Sequence, residues 1–209
     1  MRLVCYFLLY LVCSLSTSRA AIELPPALTQ YTSEGIVFRQ LVFQDGPRRI
    51  TYELPSQWNY RSTEDSVKLV PPGNSNADIA IQTRPLPAPR PLDDKGVAAA
   101  REHFLQSLPP AIQALEVLGE ELNTVPLRAG ANFEMTASYQ LLGQTFTRRA
   151  LYVHLPETQL IFRLAARKNE FESLWRTFRT SILSWQWVEA SPTTVAKNAA
   201  MQTAAVPRQ

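Results

Sequence analysis

The sequence predicts an α/β domain in which a β layer closes against a helix, and three observations predict it. Phe133 to Trp187 carries three amphipathic strand patterns in close succession, then one helix with a large aromatic and aliphatic face. A second hairpin pattern lies upstream, between Ile36 and Leu54. Both cysteines, Cys5 and Cys13, fall in the first 20 residues, so the rest of the chain has no disulfide staple and relies on its core. About 165 folded residues bury enough surface for that in one domain.

Residues 1–20 have the three-part layout of a secretory signal: Arg2, an apolar stretch from Leu3 to Leu15, and Ser18-Arg19-Ala20 at the end. Cleavage is expected after Ala20. The apolar run of about 13 residues is short of the roughly 18 to 20 that span a bilayer, so a retained anchor is the lesser alternative and no stable span is expected. Val12 precedes Cys13 where a lipobox has a small residue, which argues against lipidation.

Residues 21–34 read as an entry arm containing Pro25 and Pro26, and the domain proper as 35–188. Ile36 to Phe43 is rich in β-formers, and Ile50, Tyr52 and Leu54 alternate with Thr51 and Glu53. Asp45-Gly46-Pro47 turns one strand into the other. Pro55 stops the second strand, and Trp58 folds back as a core anchor. Short strands follow at Val67 to Val70 and Asp78 to Thr83, around the Pro71-Pro72-Gly73-Asn74 loop.

Arg84 to Pro91 has four prolines at alternate positions and reads as a stiff connector. Asp93 and Asp94 start a helix that runs to about Leu108. Val97, Ala100, Arg101, Phe104, Leu105 and Leu108 share one side; Glu102, His103 and Gln106 lie opposite. Pro109 and Pro110 interrupt it, and a strand follows near Glu116 to Asn123.

Phe133, Met135, Ala137, Tyr139 and Leu141 then face one way, with Glu134, Thr136, Ser138 and Gln140 the other. Gly143 turns the chain into Thr145 to Leu155, and Pro156-Glu157-Thr158 into Gln159 to Arg167. Asn169 with Glu172 forms a capping-box pattern for the last helix. Its face is Phe171, Leu174, Trp175, Phe178, Ile182 and Leu183. At roughly 1.5 to 3 kcal/mol per fully buried large side chain, it supplies about 10 kcal/mol as an upper bound. Residues 189–209, without apolar periodicity, read as a disordered tail.

The pattern Tyr52-Glu53-Leu54-Pro55 with Trp58, the strands between Phe133 and Leu155, Leu160 to Leu164, and the helix from Phe171 to Trp185 resemble the PsbP and Mog family, whose bacterial members include DcrB-like periplasmic proteins. The resemblance spans about Gly35 to Trp187. It implies an α/β/α sandwich with a central, mainly antiparallel sheet of about six or seven strands, and a non-enzymatic adaptor or assembly role. No binding residue is carried over from it.

Charge and chemistry narrow the function. Losing Arg2 and Arg19 with the leader takes the formal net charge from +3 to +1, and no basic run of five or more occurs, so nucleic acid is not an expected partner. Gly73-Asn74-Ser75-Asn76-Ala77 lacks the final glycine and the following helix of a nucleophile elbow. His103 and His154 have no short-spaced companion for a zinc site. Glu64-Asp65, Asp93-Asp94 and Glu120-Glu121 are explained by solvation, helix N-terminal charge and a turn. Neither an enzyme nor a cofactor is expected.

The candidate interaction surface is Arg148, Tyr152 and His154, on one strand face with Phe146, together with Arg163 and Arg167 on the next strand. If the two faces coincide, guanidinium groups stand beside an aromatic ring, as suits a carboxylate or an acidic protein surface. The alternative is that the arginine stems cover the sheet or pair with Glu134 and nearby acids. The expected role is therefore an exported, non-catalytic domain that binds another protein of the bacterial envelope. The other reading is a small-ligand or lipid carrier with a pocket between the sheet and the Val97 to Leu108 helix.

Overall fold

The computed structural model describes residues 22–73, 76–86, 92–127, 130–155 and 158–189. The leader, the tail beyond Glu189 and the proline tract from 87 to 91 lie outside them. The chain order is β1 (Ile22–Ser33), β2 (Ile36–Asp45), β3 (Arg48–Glu53), β4 (Asn59–Ser62), β5 (Ser66–Val70), β6 (Asp78–Pro85), α1 (Asp94–Gln106), β7 (Gln113–Leu122), β8 (Asn132–Leu141), β9 (Gln144–His154), β10 (Thr158–Arg167), α2 (Lys168–Ile182) and β11 (Gln186–Glu189). The strands form two sheets, β1-β2-β3-β11 and β4-β5-β6-β10-β9-β8-β7. Every ladder is antiparallel. The molecule has a mostly-sheet α/β fold.

The seven-stranded sheet is covered on both sides. One face packs Ala100 and Phe104 of α1 onto Phe133, Met135, Ala137, Ala150, Tyr152 and Ile161. The other face contributes Val67, Ile81, Leu151, Val153, Phe162 and Leu164 to a larger core, closed by Phe171, Trp175, Phe178 and Ile182 of α2 and by Leu41, Phe43, Ile50 and Tyr52 of the small sheet. Trp185 joins the layers, with its ring against those of Phe43, Tyr52 and Phe162. Trp58 is buried in the same core, as its position after Pro55 predicts.

The small sheet is where the sequence reading falls short. The entry arm is a strand: β1 pairs with β2 from Ile22↔Asp45 to Ser33↔Ile36, and its register shifts between Glu23 and Ala27, around Pro25-Pro26. Proline has no N–H for a ladder, and an edge strand with an irregularity is where a sheet accommodates it. β11 closes the other side of this sheet, pairing with β3 through Trp187↔Ile50.

Both helices also differ in detail. α1 starts where expected, with the Asp93 carboxylate accepting from the Gly96 N–H at 2.8 Å. Its buried stripe is Gly96, Ala100 and Phe104, while Leu105 is exposed and His103 turns inward to Tyr152. α2 begins directly after β10 with Arg167 at the N-cap and no side-chain cap, so Asn169 makes no capping box. With no loop between strand and helix, Asn169 already lies within the first turn. Leu183 is 51% exposed; Phe171, Trp175, Phe178 and Ile182 form the buried face.

β8 alternates as predicted, yet almost all of it is buried because the second face is covered too. There Arg149 lies over the rings of Phe171 and Trp175, with its guanidinium carbon 5.5 and 4.9 Å from their centroids. Its Nε donates to Thr136 Oγ1 at 2.7 Å and stands 3.5 Å from Glu134 Oε1. The polar face of the strand is thus a satisfied layer under α2.

Candidate functional site

Register decides how the candidate side chains meet. Arg163 lies opposite Ala150 and Arg167 opposite Phe146, so Arg148, Tyr152, His154, Arg163 and Arg167 share one face of the sheet, as the two strand patterns allow. α1 covers that face. Arg148 is 3% exposed and Tyr152 is fully buried; Arg163 and Arg167 are half-buried.

The arginines are engaged mainly from within. The guanidinium of Arg148 donates to the carbonyl and hydroxyl oxygens of Ser107, both at 2.6 Å, and so ties β9 to the C-terminal end of α1. It also lies over the Phe104 ring, 5.4 Å from its centroid. Arg163 donates to Asp78 at 2.8 Å and to Gln82 at 3.2 Å. The Nε atoms of Arg148, Arg163 and Arg167 are buried without a partner.

Burial sets the electrostatics first, and the crowding of positive charge second. Burial first and Arg163 next bring Arg148 down to about 10. Burial pushes the Tyr152 hydroxyl up to about 12, while Arg148, Arg84 and Arg163 pull the other way. His103, 3.1 Å from the Tyr152 hydroxyl, is held below its ordinary value by desolvation, then by Arg84, Arg148 and Arg163.

At the N-terminal end of α1 the same face opens into a cavity of about 270 Å³, lined by Arg84, Pro85, Leu86, Gly96, Ala99, His154 and Gln159. Sequence reasoning missed Arg84 and Gln159, because the pairing of β6 with β10 that brings them together leaves no local signal.

The opposite margin of the sheet is different in kind. Among the described residues β7 pairs only with β8, and all of it but Gly119 is exposed. Leu115, Val117, Leu118 and Leu122 stand out among the exposed apolar side chains, Leu118 at 52% and Leu122 at 56%. Its ladder shifts register between Gln113 and Glu116 and again between Val117 and Gly119, leaving Gly119–Leu122 as the regular stretch. Arg101 of α1 holds Glu120 through a 2.7 Å hydrogen bond. Glu121 lies opposite Glu134, a like-charge pairing.

Among the described residues no three His, Cys, Asp or Glu side chains group as a metal site, and no helix is long and apolar enough to cross a membrane. No protein-family model matches the chain, and no curated protein matches it. Solved structures do. The chain is similar to cyanobacterial PsbP (CyanoP) from Synechocystis sp. PCC 6803, with a TM-score of 0.53 at 11% identity, over 77% of this chain and 92% of that one. It is also similar to LpqN, involved in cell envelope biogenesis of Mycobacterium tuberculosis, with a TM-score of 0.47 at 16% identity, over 78% and 91%. The fold is PsbP-like.

Proposed function

We propose that this chain is an exported, non-catalytic assembly domain of the bacterial envelope that docks an extended, basic segment of another envelope protein on the free edge of β7. Its architecture is then an α/β/α sandwich enlarged by a four-stranded sheet, in keeping with the resemblance to DcrB-like periplasmic proteins. The observation that carries the reading is the exposed edge itself. A strand edge with outward apolar side chains invites pairing, and past the two register shifts Gly119–Leu122 keeps a regular edge for it. Here Leu118 precedes the regular stretch and Leu122 closes it. Glu116 and Glu121 give it acidic character that a cationic partner relieves.

A photo-crosslinking residue at Leu118, in cells, tests this. One discrete adduct is expected from position 118 and none from Lys68 on the far side of the sheet. Glu121→Lys is expected to weaken the adduct while leaving the melting temperature unchanged, as befits an exposed site. Equal adducts from both positions, or an adduct only with a second copy of this chain, would overturn the proposal.

A further inference from the structure

The cavity under the first turn of α1 carries an inference independent of β7. Gln159 of β10 lies directly opposite Arg84 of β6 on one side and His154 of β9 on the other. The three side chains therefore form a transverse row across adjacent strands, on the face that α1 covers. Gly96 and Ala99 lie above this row, and larger side chains there would fill the space.

Two features of the row call for a ligand. Gln159 lines the cavity and is 1% exposed; its Nε2 meets His154 Nε2, and its Oε1 is buried without a hydrogen-bond partner. Leaving a buried acceptor unsatisfied is costly, and a donor supplied by a bound molecule removes the cost. Arg84 is half-buried and has no carboxylate partner among the described residues, while Asp78 on the same face is taken by Arg163. The Asp93 carboxylate at the start of α1 is committed to the Gly96 N–H.

We propose that this cavity binds a small organic carboxylate bearing a hydroxyl or ammonium group next to the acid. The carboxylate takes the guanidinium fork of Arg84, the neighbouring donor reaches Gln159 Oε1, and a short apolar body rests on Pro85, Leu86 and Ala99. A planar fork matches a carboxylate in two-point fashion. The volume of about 270 Å³ lies just under the range of drug-sized pockets, which fits a small metabolite.

Lactate is the probe, titrated into the isotope-labelled full chain while the amide signals of Gly96 and Ala99 and the side-chain amide of Gln159 are followed by NMR. Saturable shifts at those groups are expected, with a Kd at or below about 1 mM. Propionate, which lacks the donor, and lactamide, which lacks the charge, should each bind at least about tenfold more weakly. Arg84→Met should weaken lactate by about tenfold or more. Ala99→Phe, which fills the space and removes no polar group, should abolish the shifts. The proposal is overturned if lactate shifts none of these signals, if propionate or inorganic phosphate binds as well as lactate, or if binding survives Ala99→Phe in a folded chain. None of these outcomes bears on docking at β7.

Discussion

The two faces of the seven-stranded sheet are built to different plans. Under α2 and the small sheet, 25 of the described residues form one continuous apolar cluster, and a charged group at its margin, Arg149, is stacked and hydrogen-bonded. Under α1 the cluster has eight of the described residues, and around it stand Arg84, Arg148, Arg163 and Arg167, two histidines and the Tyr152 hydroxyl. The difference teaches where stability resides and where buried charge is tolerated. The first face gains by excluding water, whereas the second keeps buried cations close together, an arrangement that stabilises little by itself. Positive charge held in a low dielectric with few acids nearby is suited to attracting an anion.

Substitutions on the two faces break or sharpen this contrast. Trp175→Asp places a charge in the large cluster, where Trp175 is 3% exposed, and is expected to cost more than about 5 kcal/mol and unfold the chain, as circular dichroism would show. Unchanged melting would remove the distinction between the faces. Phe104→Ala on the α1 side is expected to cost about 3 kcal/mol in chemical denaturation. Hydrogen exchange should then show α1 opening while α2 stays protected; equal loss in both helices would mean that the faces unfold as one unit.

Arg148→Ala removes both donors to Ser107 and is expected to cost about 2 kcal/mol. It also removes one of the cations acting on His103, so the imidazole pKa should rise toward its ordinary value in an NMR titration. A fall would contradict the electrostatic account.

The smallest effect is on pH dependence. Because the folded state holds His103 below its ordinary value, the unfolded chain binds a proton at pH values where the folded chain does not. Stability from this group is present at neutral pH and is lost as pH falls from about 7 toward 5. Melting temperatures across that window should decline, and His103→Gln should flatten the decline. Glu120, held low chiefly by its hydrogen bond from Arg101, loses its contribution only on further acidification, through the carboxylate range.

Legibility in the sequence followed the same divide. Period-two alternation made β8, β9 and β10 readable, since each is amphipathic and its neighbour follows after a short turn. The aromatic spacing of Phe171, Trp175 and Phe178 did the same for α2. Long-range pairing has no such local mark. That β1 is a strand was hidden by Pro25-Pro26, and β11 is too short to show a period. His103 looked polar because one wheel position separates it from the exposed side of α1, and only the approach of Tyr152 turns it inward. The shared face of Arg148 and Arg163 could be stated as a condition from the sequence, but their burial required knowing that α1 crosses above them. Arg84 and Gln159 were out of reach for the same reason as β1.

The pairing of β11 with β3 has a kinetic consequence. The first three strands can assemble among themselves, but the ladder from Trp187 to Ile50 forms only once synthesis has passed Trp187, well over a hundred residues after β3. Until then β3 has an open flank and its apolar side lacks Trp185. Such distant closure is slow, and a nascent chain that has not reached Trp187 is accordingly kept from locking prematurely, with Trp185-Gln186-Trp187 acting as the latch on β3.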